Sequence, residues 1–182
     1  AENLIVTVTD DAGHTGVGGA APSKHYGETA DTVTAVLADL LADVESVGDP
    51  HALEQIEARM RSTVEDNPAA RCAVSIAMWD LAAKRVDLPL YRLWGLDPSA
   101  TPDTSFTVGI DTTARMREKA AAAAEAGYSI LKVKLGGDRD REIVEAVREA
   151  APEATLRVDA NEAWTPRETV RNSRWLAEHG VE

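Results

Sequence analysis

The sequence predicts an α/β protein, in which three β-α units form a parallel sheet behind an α+β segment that leads the chain. Three observations predict it. Strand centres at Val108, Val133 and Val158 recur every 25 residues, the span of one strand, one helix and two short loops. The intervening stretches carry helical periodicity and end on helix-stopping residues such as Gly127, Pro152 and Gly180. Before residue 98 the pattern is different, a single hairpin followed by helices.

Leu4–Thr9 and His14–Ala20 flank the turn composition Asp10-Asp11-Ala12-Gly13 and read as an antiparallel hairpin. The loop Ala21–Gly27 follows. From Ala30 to Val44, the residues Val33, Val36, Leu37, Leu40, Leu41 and Val44 fall on one helical face. Asp49-Pro50 is a start signal for a second helix, and Asn67-Pro68 repeats it for a third over Ala69–Arg85. In that third helix Ala70, Ala73, Val74, Ala77 and Leu81 form a small-residue stripe suited to close packing. A short helical turn at Pro89–Trp94 stops at Gly95, and Pro98–Pro102 is a linker. Residues 1–98 are thus expected to form one domain and 99–182 another.

In the second part the expected strands are Ser105–Ile110, Ser129–Leu135 and Thr155–Asp159, with helices over Thr112–Ala126, Asp138–Ala151 and Pro166–Glu178. No G-x-G-x-x-G follows the first strand, which argues against dinucleotide binding. Barrel and doubly wound sheet are both open at this level.

The chain has 182 residues, with 19 Lys and Arg against 31 Asp and Glu for a net charge of −12. Without a basic patch, nucleic acid and anionic membrane surfaces are not expected partners. No apolar run approaches the ~20 residues of a membrane span, and residues 1–30 lack a signal peptide pattern. The single cysteine, Cys72, makes no internal disulfide, so a reducing cytoplasm is expected; on its small-residue helix it reads as core packing. The four histidines read as surface or loop residues, and the four tryptophans as anchors in apolar junctions, with Trp164 beside the candidate site. The chain begins without Met, directly on a strand, and ends where a new extended segment is about to start, so an incomplete chain is expected.

Splitting the strands by parity places Leu131, Val133 and Leu135 on one face and Lys132 and Lys134 on the other. Leu156 and Val158 likewise oppose Arg157 and Asp159, with Asn161 continuing that parity. In the first strand Phe106, Val108 and Ile110 oppose Ser105, Thr107 and Gly109. Cations and a carboxylate turned into a sheet interior are unfavourable unless paired or metal-bound. They also lie at the C-terminal strand ends, where barrel enzymes build their sites. Each lysine charge disfavours the other, making one a candidate base near neutral pH, and Asp159 is a hard ligand suited to Mg²⁺. Alone, K-x-K is a solvated face and an Asp at a strand end is a cap. Matching parity on successive parallel strands is what turns them into a candidate site.

These residues carry a resemblance. Ala69-Ala70-Arg71-Cys72-Ala73 through Met78-Trp79-Asp80-Leu81-Ala82, Leu88-Pro89-Leu90-Tyr91, Thr107-Val108-Gly109-Ile110-Asp111, Leu131-Lys132-Val133-Lys134-Leu135-Gly136 and Arg157-Val158-Asp159-Ala160-Asn161-Glu162-Ala163-Trp164 are similar to the muconate-lactonizing branch of the enolase superfamily. Within that branch the sequence most resembles the dipeptide epimerases. The resemblance implies the first three units of a (β/α)₈ TIM-type barrel after an α+β capping domain that lacks its first strand, and a Mg²⁺ cofactor. It implies an isomerase acting on a small carboxylate substrate such as L-Ala-L-Glu through an enediolate, with Lys134 as the base and Lys132 contacting the substrate carboxylate and holding down the pKa of Lys134. Asp159 is then one of three metal ligands, Asn161 a substrate or neighbouring contact, Thr107 a pocket residue, and Pro22–Glu28 a lid. The remaining ligands, the opposing lysine and the acidic pair that binds the dipeptide amino group would all fall after Glu182. Gly19 stands where relatives often carry Glu. Muconate-type cycloisomerase, N-acylamino-acid racemase and o-succinylbenzoate synthase use the same half-site and are alternatives, as is a non-catalytic piece; a homo-oligomer is expected by analogy.

Overall fold

The computed structural model describes residues 2–182 and divides into two compact units, one ending at Ala100 and one spanning Thr101–Glu182.

In the first unit, β1 (Leu4–Thr9) and β2 (Thr15–Ala20) pair antiparallel, with Val6 opposite Gly18 and Val8 opposite Gly16. The turn between them is organised by Asp10, whose Oδ1 accepts the amides of Ala12 (3.0 Å) and His14 (2.8 Å). Helix α1 (Ala30–Val47) opens on a reciprocal capping box between Thr29 and Thr32 and closes on left-handed Gly48. Helix α2 covers Leu53–Thr63. Its expected cap, Asp49, is instead used in the turn before it: the Asp49 carboxylate accepts the amide of His51 (2.9 Å) and its carbonyl that of Ala52 (3.1 Å), so the helix starts only at Leu53.

Helix α3 (Pro68–Arg85) has Pro68 in its first turn, as Asn67-Pro68 predicts, but Asn67 is left-handed (φ 56°) and caps nothing with its side chain. That role falls to Glu28, a buried carboxylate from the loop before α1 whose Oε1 accepts the Ala69 amide at 2.8 Å. The small-residue stripe faces the hairpin. A methyl group at Gly16 or Gly18 would lie 1.9 Å from the carbonyl oxygens of Ala77 and Ala73 respectively, so strand and helix meet backbone to backbone. Cys72 is not in this core; it is exposed, because at about 100° per residue the stripe Ala70, Ala73, Val74, Ala77 and Leu81 lies about 100–200° around the helix from it. Helix α4 (Leu90–Leu93) completes the unit. Trp79 meets Trp94 edge to face at 5.2 Å, yet Trp94 is 50% exposed and anchors less than expected.

The second unit alternates β3 (Ser105–Val108), α5 (Thr113–Glu125), β4 (Ile130–Lys134), α6 (Asp140–Ala150), β5 (Thr155–Asp159) and α7 (Pro166–Glu178). The strands form one parallel sheet in the order β3-β4-β5. Val108, Leu131, Val133, Leu135 and Leu156 pack with Met116, Ile143, Val144, Val147, Trp175 and Leu176. Burial of this apolar face holds the register, since a one-residue slip would turn every side chain to the wrong side. Ile110 does not join it: β3 ends at Val108 and Ile110 is 67% exposed. Beyond α7, Val181 bridges Leu156 in parallel. Among the described residues no helix is long and apolar enough to cross a membrane.

Candidate active site

The register does what parity predicts. Thr107 lies opposite Lys132, Lys132 opposite Arg157, and Lys134 opposite Asp159, so these side chains share the face away from the helices. Lys132 and Lys134 both bring Nζ to within 2.8 Å of Asp159 Oδ2. Lys134 Nζ also donates to Asn161 Oδ1 at 2.7 Å, and the Asn161 amide donates to Asp159 Oδ1 at 2.9 Å. Hydrogen bonds from Lys132 first, then Lys134 and the Asn161 amide, hold the Asp159 carboxyl far below the usual carboxylate range. Asn161 and Glu162 are both left-handed (φ 46° and 66°), an unfavourable backbone for residues other than glycine that surrounding contacts must hold in place.

Lys132, Lys134, Asp159 and Asn161 are therefore brought together. Thr107 shares the sheet face without bonding to them, and Arg157 leaves the group to pair with Glu182 at 2.6 Å. One residue that sequence reasoning missed is Asp140, whose carboxylate accepts the amides of Gly136 and Gly137 and the indole N–H of Trp164, each at 2.9 Å. An acidic residue three positions after Gly136-Gly137 is the signal that could have found it. A recess of about 130 Å³ reaches Lys134, Gly136 and Asp140. A larger groove of about 580 Å³ lies between the α6 and α7 starts and touches none of the four site residues.

A hard divalent cation fits this chemistry as far as the donors go. Asp159 offers carboxylate oxygens at a strand end, and Mg²⁺ is commonly held by one or two carboxylates with water completing its shell. Among the described residues no group of three or more His, Cys, Asp and Glu could hold a metal ion.

Several known proteins are similar to this chain. The chain is 38% identical over 170 residues to the L-Ala-D/L-Glu epimerase of Bacteroides thetaiotaomicron, covering 93% of this chain and 43% of that protein. It superposes with a TM-score of 0.84 on the dipeptide epimerase of Enterococcus faecalis, solved with Mg and the dipeptide L-Leu-L-Tyr, at 32% identity over 99% of this chain and 51% of that one. The 2-chloromuconate cycloisomerase of Rhodococcus opacus superposes at 0.86 with 27% identity, over 98% of this chain and 52% of that one. The chain spans about half the length of the curated relatives it matches. Residues 1–95 match "Mandelate racemase / muconate lactonizing enzyme, N-terminal domain" and residues 115–182 match "Enolase C-terminal domain-like". With K-x-K facing D-x-N across adjacent parallel strands and both domain types matched along its length, the chain belongs to the mandelate racemase/muconate lactonizing enzyme family of the enolase superfamily.

Proposed function

We propose that the protein is a Mg²⁺-dependent epimerase of dipeptides such as L-Ala-L-Glu, with residues 1–98 as the cap and 99–182 as the first three units of a (β/α)₈ barrel. The observation that carries the reading is the convergence of Lys132 and Lys134 on one Asp159 oxygen at the ends of neighbouring parallel strands. A proton α to a carboxylate is very weakly acidic, so the negative charge that builds on the carboxylate must be met by fixed positive charge before a base can compete. Lys132 supplies such a charge and holds the substrate carboxylate. Lys134 exchanges the α-proton on one face. Asn161 fixes the direction of Lys134 Nζ, and Thr107 lines the substrate side of the sheet. When bound through Asp159, Mg²⁺ supplies Lewis-acid stabilisation of the developing charge. The single cysteine suits a reducing cytoplasm, and assembly as a homo-oligomer belongs to the same reading.

The test is solvent deuterium incorporation at the substrate α-carbon in the full-length protein. Incorporation with L-Ala-L-Glu in the wild type and its loss in Lys134→Ala are expected; exchange unchanged in that variant refutes the assignment. The close superposition on a cycloisomerase favours one second reading. Lactonisation of a muconate without dipeptide epimerisation would select it.

A further inference from the structure

We propose that Asp140 is a positioning residue for the reaction, a strut that sets the separation of the loop leaving Lys134 from the loop carrying Asn161. The proposal rests on the site reading above and adds to it a residue outside the reacting group.

The carboxylate is 8% exposed, stands at the first position of α6, and has no ion-pair partner among the described residues. A buried carboxylate without a cation is costly unless its oxygens are fully hydrogen-bonded. Here Oδ1 accepts the amides of Gly136 and Gly137, and Oδ2 accepts the Trp164 indole N–H; the α6 N-terminus adds a favourable field. A serine or threonine hydroxyl at this position could serve the glycine turn at lower desolvation cost. What only a carboxylate of this length adds is the second oxygen, and that oxygen reaches the other loop.

The two loops are already in contact at that point. Gly136 is left-handed (φ 123°), and a methyl group on it would lie 2.6 Å from the Ala163 side chain and 3.2 Å from the Ala160 carbonyl. Lys134 stands two residues before Gly136, and Asn161 three residues before Trp164. The strut therefore spans the same gap as the Lys134–Asn161 and Lys134–Asp159 contacts at 2.7 and 2.8 Å. It also secures the downstream end of a segment whose left-handed Asn161 and Glu162 need support.

In Asp140→Asn, one oxygen still accepts the glycine amides, but the amide NH₂ faces the indole N–H, donor against donor. Trp164→Phe removes the donor and leaves the carboxylate in place. A 1 Å misplacement at a reacting centre can slow a reaction by up to about a hundredfold. In the full-length protein each variant is expected to lower kcat for α-proton exchange about tenfold, with KM held within about threefold. Hydrogen exchange at the Gly136 amide should accelerate in Asp140→Asn. Because both changes break one bond, the double variant should be no slower than Asp140→Asn alone. If Asp140→Asn fails to fold, Trp164→Phe decides by itself. Folded variants with wild-type kcat, or losses that multiply in the double variant, overturn the strut. Lys134→Ala run alongside separates the two ideas. Exchange that persists there overturns the site reading and the role of Asp140 with it, whereas exchange lost there but kept in the strut variants overturns the strut alone.

Discussion

Replacing Gly18 by alanine tests whether the hairpin and α3 truly meet at backbone distance. The new methyl would lie 1.9 Å from Ala73 O, 2.9 Å from Ala73 C and 2.9 Å from Ala77 N. All three are helix backbone, so no side-chain rotation relieves the overlap. Reaching the 3.4 Å of ordinary contact requires about 1.5 Å of separation between β2 and α3. That movement would loosen Val6, Ala20, Val74 and Ala77, which are buried in the same cluster. Overpacking typically destabilises by about 1–3 kcal/mol, and with a rigid obstacle on this scale we expect about 3 kcal/mol or more. At roughly 2–4 °C per kcal/mol for a chain of this size, the thermal midpoint should fall by roughly 6–12 °C. Gly19→Ala is the internal control: it is one residue away, on the solvent face, with its nearest neighbour at 3.8 Å, and should stay within about 0.5 kcal/mol. Equal thermal midpoints for Gly18→Ala and Gly19→Ala would refute the reasoning.

Three further outcomes follow from the same structure. Burial pulls the Asp10 carboxyl up, but hydrogen bonds from the His14 amide and ring and from Arg85 outweigh it and set the group below its usual 3.8; its stabilisation is thus complete above that value and lost as pH falls through the folded one. Asp10→Asn should accordingly lower the midpoint at pH 7 and narrow the gap to wild type toward pH 2, as read by thermal unfolding across pH; a gap constant with pH counts against this. Leu131→Ala, at a fully buried centre of the parallel sheet, should destabilise by about 2–5 kcal/mol in urea, while Ile110→Ala changes stability by under about 0.5 kcal/mol. Asp159→Asn should weaken Mg²⁺ binding about tenfold or more by calorimetry, and undiminished binding would remove Asp159 from the ligand set.

Element type and order were legible because they rest on local periodicity. The spacing of Val108, Val133 and Val158 and the alternation in Leu131–Leu135 are properties of a single strand and its neighbours in sequence. Most boundaries shifted by one or two residues, as at Ser129–Leu135 against the observed Ile130–Lys134. Larger misreadings occurred where one side chain had two uses. Asp49 serves a turn instead of a helix, and α3 takes its cap from Glu28, 41 residues away in sequence. No local pattern reports that choice, since it depends on which carboxylate the fold brings to a bare helix end.

The candidate site divides in the same way. That Lys132, Lys134, Asp159 and Asn161 share a parity is readable from the residue order, because a strand turns alternate residues to one face whatever packs against it. Tertiary structure alone decided that both ammonium groups meet a single Asp159 oxygen, that Arg157 leaves for Glu182, and that Asp140 joins the two loops. Those outcomes depend on strand register and on the approach of Gly136 to Ala163. Both are fixed by burying Leu131, Val133 and Leu156 against the helices, contacts between residues far apart in the chain that local periodicity cannot encode.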